Sequence, residues 1–368
     1  MNFVKISVCP QIRTTSSKIV GFHHSTLYVA PARDEKTIEI YSVNAMIHDS
    51  WKRIVKIKTI HDSIEEFTLS PNGLFIYCLF VGTVEHDENF KIYIAKICTT
   101  TSALDLYPLN PASGDEFEQV YINNIGLHCG ENGLYMYDRT IAMGPIKFWT
   151  IALLDETDSN FDEKSFIITP NHIPAHASTH ECIRFPIALN LDNREVIKIA
   201  NTDEILIFNG STEEWISYFP ESANQIDFGK IRTRGIREVY GRSGHRFNAV
   251  ESKLSVFGRG DNLMAKISEK GMHIFYSFQI NKENLTYKLV KRAQVYQMKD
   301  SFSYRLASTS GKIALVGRHN VVFIALQPLT LKEHSFLAIQ KYFLSKTTGS
   351  RITEAELQSI LQIKIKLI

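Results

Sequence analysis

EVIKIANTDEILIFNGSTEEW, residues 195–215, decides what kind of chain this is. Two runs rich in β-branched residues, 196–199 and 205–208, meet at an Asn-Thr-Asp turn, and Asn209-Gly210 then leads into a third run that carries Trp215. Short apolar runs bounded by Asn, Asp, Gly and Ser read as antiparallel strands joined by tight turns. A hydrophobe, six residues, then Trp is the spacing from Phe208 to Trp215. TLYVAPARDEKTIEIYSVNAMIHDSWKRIVKI, residues 26–57, has the same order, with Tyr41 and Trp51 in the corresponding places. The order returns in residues 242–260 followed by 272–290, where Tyr287 stands in place of the Trp.

Self-similarity at a period of roughly 45–60 residues implies an array of four-stranded units, because one such sheet cannot bury its faces alone and must stack on a neighbour. A β-propeller is the economical solution. The units fall at about 18–58, 64–109, 119–169, 180–219, 243–291 and 303–326, and the last is one strand short. The run NFVKISV, residues 2–8, has no hairpin partner nearby, so it is expected to complete that unit and close the ring. The expectation is therefore all-β: a six-bladed propeller over residues 1–327, with a seventh blade left open by the weakly patterned residues 223–242. A pair of β-sandwiches is the competing architecture.

Three features carry a family likeness: Arg242-Ser243-Gly244-His245, the run Lys253-Leu254-Ser255-Val256-Phe257-Gly258, and the Phe208 to Trp215 spacing. On these the units resemble kelch repeats, with Gly258-Arg259 where kelch repeats carry a double glycine. SPNGLFIYCLF, residues 70–80, reads equally like a WD-type blade.

Composition narrows the function classes. The chain has 368 residues, 44% hydrophobic and 22% charged, so it is a foldable globular sequence and not a disordered one. Lys and Arg number 41 against 39 Asp and Glu, which supplies no global field for nucleic acid or membrane. No stretch reads as a signal peptide or a membrane span. Cys9, Cys78, Cys98, Cys129 and Cys182 lie far apart without CxxC spacing, which fits reduced thiols in cytoplasm or nucleus.

Chemistry-bearing clusters are sparse. His172, His176 and His180 share a helical spacing, but Pro174 interrupts them and the context reads as a loop between blades, so solvated histidines are expected and no metal. Asp155, Asp158, Asp162 and Glu163 lack the glycine and closing glutamate of a calcium loop and read as a solvated acidic loop. No motif assembles a nucleophile, a base and an oxyanion donor, and no cofactor is implied. One basic cluster stands out: Lys230, Arg232, Arg234, Arg237, Arg242 and Arg246, in the connection into the fifth unit. It reads either as a solvated loop or as guanidinium donors at the propeller mouth for a peptide carboxylate or phosphate.

The C-terminal residues change period. Pro328 stops the preceding strand, Thr330 and Glu333 form a capping box, and Leu331, Ser335, Ala338, Ile339, Tyr342 and Phe343 then share one stripe of a helix. A second capping box, Thr353 with Glu356, opens another helix, so residues 328–368 are expected to be a helical pair. The stretch from Thr330 to Ile339 resembles the elongin-binding box: Thr, Leu, three residues, a small residue, three residues, an aliphatic. Its place after the last blade is similar to kelch-domain substrate receptors of cullin-RING ubiquitin ligases that read C-terminal degrons. That resemblance implies elongin B and elongin C and a cullin as partners, with Thr330, Leu331, Ser335 and Ile339 at the interface. It also implies a degron pocket, to which Gly241-Arg242-Ser243 would contribute Arg242 and Ser243, with Arg232, Arg234 and Arg237 nearby. The residues themselves leave open a general propeller scaffold, and a divergent propeller enzyme as a third reading.

Overall fold

The computed structural model describes residues 3–7, 18–23, 26–31, 37–44, 51–58, 65–82, 91–111, 125–138, 146–153, 166–173, 187–199, 203–222, 252–257, 261–269, 272–296, 303–306, 312–316, 320–325 and 335. Among them the secondary structure is strand, apart from Ser335, which is helical. The strands form consecutive antiparallel meanders of four. The first unit is β1 aside, β2 (Lys18–His23), β3 (Thr26–Ala30), β4 (Thr37–Asn44) and β5 (Lys52–Lys58). The second is β6 (Glu65–Leu69), β7 (Phe75–Gly82), β8 (Lys91–Cys98) and β9 (Leu104–Pro111). The third comprises β10 (Ile125–Cys129), β11 (Leu134–Asp138), β12 (Ile146–Leu153) and β13 (Phe166–Ile173), and the fourth β14 (Ile187–Asn190), β15 (Glu195–Ile199), β16 (Ile205–Asn209) and β17 (Glu214–Pro220). The fifth comprises β18 (Ser252–Phe257), β19 (Asn262–Glu269), β20 (Met272–Asn281) and β21 (Thr286–Tyr296). The last has β22 (Ser303–Leu306), β23 (Lys312–Val316) and β24 (Asn320–Ala325), and its fourth strand is β1 (Phe3–Ser7), paired antiparallel with β24 from Phe3 opposite Ile324 to Ser7 opposite Asn320.

Packing explains why the strands read as near-continuous apolar runs. In the second strands of the units, alternate side chains feed two different cores, because the strand period of two sends neighbours to opposite faces. Val196 and Phe208 pack with Tyr135, Phe148 and Ile173 of the third unit, whereas Ile197, Ile199, Ile205 and Ile207 pack with Leu263, Ala265 and Phe278 of the fifth. In β11, Leu134 and Met136 meet the second unit and Tyr135 meets the fourth. In β7, Ile76, Cys78 and Phe80 turn to the first unit and Leu79 to the third. Each of the first four units is thus packed face to face against the next, a propeller-like stack with a core at each of these four boundaries.

The first strands are innermost: β2 lies against β6, β6 against β10, and β14 against β18. The fourth strands are the outer edges. Prolines within described strands occur only there, Pro108 and Pro111 in β9, Pro170 in β13 and Pro220 in β17. A residue without an N–H is tolerated at an edge and would break the ladder of a central strand. Two of these edges pair in parallel with a neighbour, β9 with β13 and β17 with β21, the start of the later strand lying beside the end of the earlier one.

Three sequence expectations change. The third unit does not stop at residue 169: β13 runs on to Ile173, so His172 is a strand residue and not part of a loop. Pro170 is accommodated because this is an outer edge. Tyr41 and Trp51 do not form the pair that Phe208 and Trp215 do. Phe208 lies opposite Trp215 with ring centroids 5.3 Å apart, whereas a bulge sets Tyr41 opposite Arg53 and leaves Trp51 just before β5. Tyr287 does take the aromatic role in the fifth unit, edge-on to Phe278 at 5.8 Å.

Substituting Ile197→Ala, at a fully buried position, should cost about 3 kcal/mol in urea denaturation, while Leu106→Ala, half exposed on β9, should stay within about 0.5 kcal/mol. Removing residues 1–9 takes away β1 and should lower the melting temperature by several degrees; an unchanged melting temperature would mean that β1 contributes nothing to holding the last unit.

Candidate functional site

In a four-stranded meander the first and third turns lie at the same end, and here they are tied together. Thr99 donates its N–H to Leu74 O (2.9 Å) and its hydroxyl to Gly73 O (2.8 Å); Gly210 N–H reaches Arg194 O (3.0 Å); Ile280 N–H reaches Asp261 O (2.7 Å). The third turns share one form. Asn209 Oδ1 accepts the N–H of Ser211 (2.8 Å), and Asn281 Oδ1 accepts those of Glu283 and Asn284 (3.1 and 3.2 Å). Glu213 and Leu285 then take the left-handed conformation at φ 58° and 54°, and Ser102 does so at 61° in the second unit. Side-chain amides that hydrogen-bond their own turn explain why Asn sits at these corners.

Polar contacts also join one unit to the next. Cys129 N–H donates to Thr68 Oγ1 (3.0 Å) between the second and third units. Asp192 reaches back from the fourth unit to accept the N–H groups of Glu131 (2.8 Å) and Asn132 (3.2 Å) in the third unit's first turn. The Asp192 carboxylate lies so close to Gly130 that no Cβ could be placed there. Between the fourth and fifth units Tyr287 donates its hydroxyl to Asp203 O (2.9 Å), and Lys282 Nζ meets Glu195 Oε1 at 2.7 Å and Asp261 Oδ1 at 3.6 Å. The second oxygen of Glu195 accepts Asn190 Nδ2 at 2.9 Å, so a carboxylate only 7% exposed has both oxygens engaged. Burial disfavours the Lys282 ammonium, but the hydrogen bond and charge of Glu195, with Asp261, outweigh it and raise its pKa above the ordinary lysine value.

Beside this ion pair opens a pocket of about 430 Å³, lined by Glu221, Asp261, Gln279, Lys282, Glu283 and Lys288 among others. The parallel seam of β17 and β21 runs along it: Phe219 N–H donates to Leu285 O (3.2 Å) and Glu221 N–H to Tyr287 O (3.0 Å). Phe219 and Leu285, joined by that bond, are 51% and 45% exposed, among the most exposed large apolar residues described.

No family model matches the chain, and no curated protein matches its sequence. Among solved structures it is similar to Saccharomyces cerevisiae Sqt1, at 9% identity and a TM-score of 0.33 over 87% of this chain and 98% of that one. It is similar also to U3-55K, at 11% identity and a TM-score of 0.35 over 85% of this chain and 100% of that one. A third similar structure is Chaetomium thermophilum Sqt1 bound to the N-terminus of the ribosomal protein L10, at 14% identity and a TM-score of 0.30 over 80% of this chain and 68% of that one. Scores this low carry no argument, and the fold rests on the strand order and the cores described above.

The residues singled out in the sequence fall mostly elsewhere. Arg232, Arg234, Arg237, Arg242 and Ser243 lie outside the described residues, in the connection from β17 to β18, as do Thr330, Leu331 and Ile339. Ser335 is described, helical and partly buried. His176, His180 and the acidic residues 155–163 are also outside; His172 is exposed on β13. Among the described residues, no three His, Cys, Asp or Glu side chains come together to hold a metal, and no helix is long and apolar enough to cross a membrane. Glu195, Asp192, Asp261 and Lys282 were not picked out by sequence. The available signal was Glu195 itself, a carboxylate opening a strand that is apolar but for Lys198, but its cationic partner is 87 residues away.

Cys78, Cys98 and Cys129 are not in disulfides. Cys98 ends β8 with its sulfur 3.2 Å from Thr100 Oγ1, and hydrogen bonds from Thr100 and Thr101 bring its pKa down to about 6; burial, with the charge of Asp192, pushes Cys129 up to about 12. At pH 7, iodoacetamide should therefore label Cys98 well before Cys129, as peptide mass spectrometry would read. For the ion pair, Lys282→Met leaves Glu195 buried without its cation and should cost about 3 kcal/mol, and Glu195→Gln combined with it should cost less than the two single changes together. Because the Lys282 pKa is raised, the pair's stabilisation is complete below the ordinary lysine pKa and is lost as pH rises through the raised value. Wild type and Lys282→Met should accordingly converge in stability in strongly alkaline buffer.

Proposed function

We propose that this chain is a non-catalytic protein-interaction module built on a closed six-bladed propeller, with β1 as the fourth strand of the last blade. The observation that carries the reading is the two-sided covering of the units: described side chains of the second, third and fourth units pack on both faces. Contact between β2 and β23, across the first and last units, supports closure. In such a stack carboxylates and turn amides hold neighbouring units together, as buried Glu195 and half-buried Asp192 do. Turns and outer strands are then left for partners, and a protein or peptide is the partner class that a broad, rigid face of short turns suits.

A narrower form of the reading concerns the C-terminal residues. We propose residues 328–368 as a helical appendage whose first helix is an elongin box, making the chain a kelch-type substrate receptor for an elongin and cullin-RING ligase. The helical state of Ser335, ten residues beyond the end of β24, supports it together with the Thr330 to Ile339 pattern. Leu331 would be the apolar anchor and Ser335 the small residue that allows close approach. Arg232, Arg234, Arg237, Arg242 and Ser243 would hold the carboxylate of the substrate peptide.

The broad reading predicts that cross-linking mass spectrometry on partners captured with the full chain places the links in turns and outer strands; links confined to residues 328–368 would remove the propeller from the interaction. The narrower one predicts that purified elongin B and elongin C are retained by the wild-type chain and lost with Leu331→Ala plus Ser335→Phe, at unchanged melting temperature. Absence of retention by the wild type would leave the scaffold reading and end the ligase one.

A further inference from the structure

The seam between the fourth and fifth units combines two features that point to one kind of partner. Along it, Phe219 donates its backbone N–H to Leu285 O just before β17 and β21 begin to pair, both residues are about half exposed, and Leu285 holds the left-handed conformation that costs a side chain energy. Next to them, just past the end of β17, Glu221 enters the wall of the pocket. The pocket's charges do not balance. Glu221, Asp261 and Glu283 line it with Lys282 and Lys288, and Glu195 stands directly behind Lys282. Since Glu195 already engages the Lys282 ammonium at 2.7 Å, while Asp261 stands off at 3.6 Å with its side chain 47% exposed, carboxylate acceptor capacity is left facing the opening.

We infer that this seam and pocket form a docking surface for a peptide segment of another protein that presents a basic side chain beside an apolar one, the cation entering the pocket and the apolar group covering Phe219 and Leu285. This inference rests on the interaction reading above and names the class of partner. Charge complementarity selects the occupant: a lysine or arginine side chain finds carboxylates partly sheltered in a concavity, where a hydrogen-bonded pair is worth more than on an open rim. A carboxylate would meet Asp261, Glu221 and Glu283, with Lys282 already engaged and only Lys288 to receive it. The protein as a whole carries a net charge of +2, so attraction of a cationic peptide must be local.

The test uses the full chain and a fluorescein-labelled peptide alternating leucine and arginine, read by fluorescence polarisation. Two comparison peptides replace arginine by glutamate or leucine by serine. The leucine and arginine peptide should bind best, and Glu221→Gln with Asp261→Asn, or Phe219→Ser alone, should each weaken it about tenfold without changing the melting temperature. Leu106→Ser with Asp105→Asn, an equally exposed apolar and acidic pair on β9, should leave binding unchanged. Equal loss in that control pair, equal binding of the glutamate peptide, or no binding of any peptide would overturn the inference. The interaction reading fails separately, on where captured partners cross-link; partners that cross-link to other turns and are indifferent to the seam substitutions would sink the inference alone.

Discussion

A four-stranded sheet with two apolar faces cannot exist by itself in water, and the described architecture follows from that constraint. The second strands of the second, third and fourth units carry side chains of one parity for the preceding unit and of the other parity for the following one, as Val196 and Ile197 do in adjacent positions of β15. Deleting a unit would therefore expose two cores. The same requirement gives the terminal strand β1 its place, because the last meander supplies only three strands from its own stretch of chain.

Apolar stacking is non-directional and would tolerate sliding of one unit over the next. The polar contacts at the boundaries are directional. Asp192 accepts two specific backbone N–H groups of the preceding unit, and Tyr287 donates to one carbonyl. Glu195 is engaged by Lys282 and Asn190 together, which is the condition under which a buried carboxylate is tolerable. The Asp192 contacts sit in first turns and the Asp203 carbonyl in a second turn, so both ends of the stack are held by directional bonds. The interior is given to packing and the rim to polar registration, a division that suits recognition by shape and charge.

The outer edges carry the remaining freedom. The described central strands lack proline and bury or half-bury nearly every described side chain, whereas β9, β13 and β17 accept proline and expose Leu106 and Phe219. Where two edges pair in parallel, the ladder covers backbone groups that an open edge would offer to other chains. That pairing leaves apolar side chains outward at the seam of the fourth and fifth units, next to its charged pocket.

The amino-acid sequence determined the strand content, the extent of the first unit, and the orphan strand at residues 2–8, because these depend on local periodicity and turn chemistry. It also made Phe208 and Trp215 a cross-strand pair, since a tight turn fixes register over so short a separation. Tyr41 and Trp51 escaped the same rule because a bulge, invisible to spacing, shifted the register. His172 looked like a loop residue because Pro174 interrupts the histidine spacing, yet β13 runs through Pro170 to Ile173, which an outer edge permits. Glu195 and Lys282 came together only in the folded chain, brought from separate units by the stacking of sheets. Local pattern specifies which residues must be covered; what covers them, and which charges meet at the boundary, is decided by how the units are set against one another.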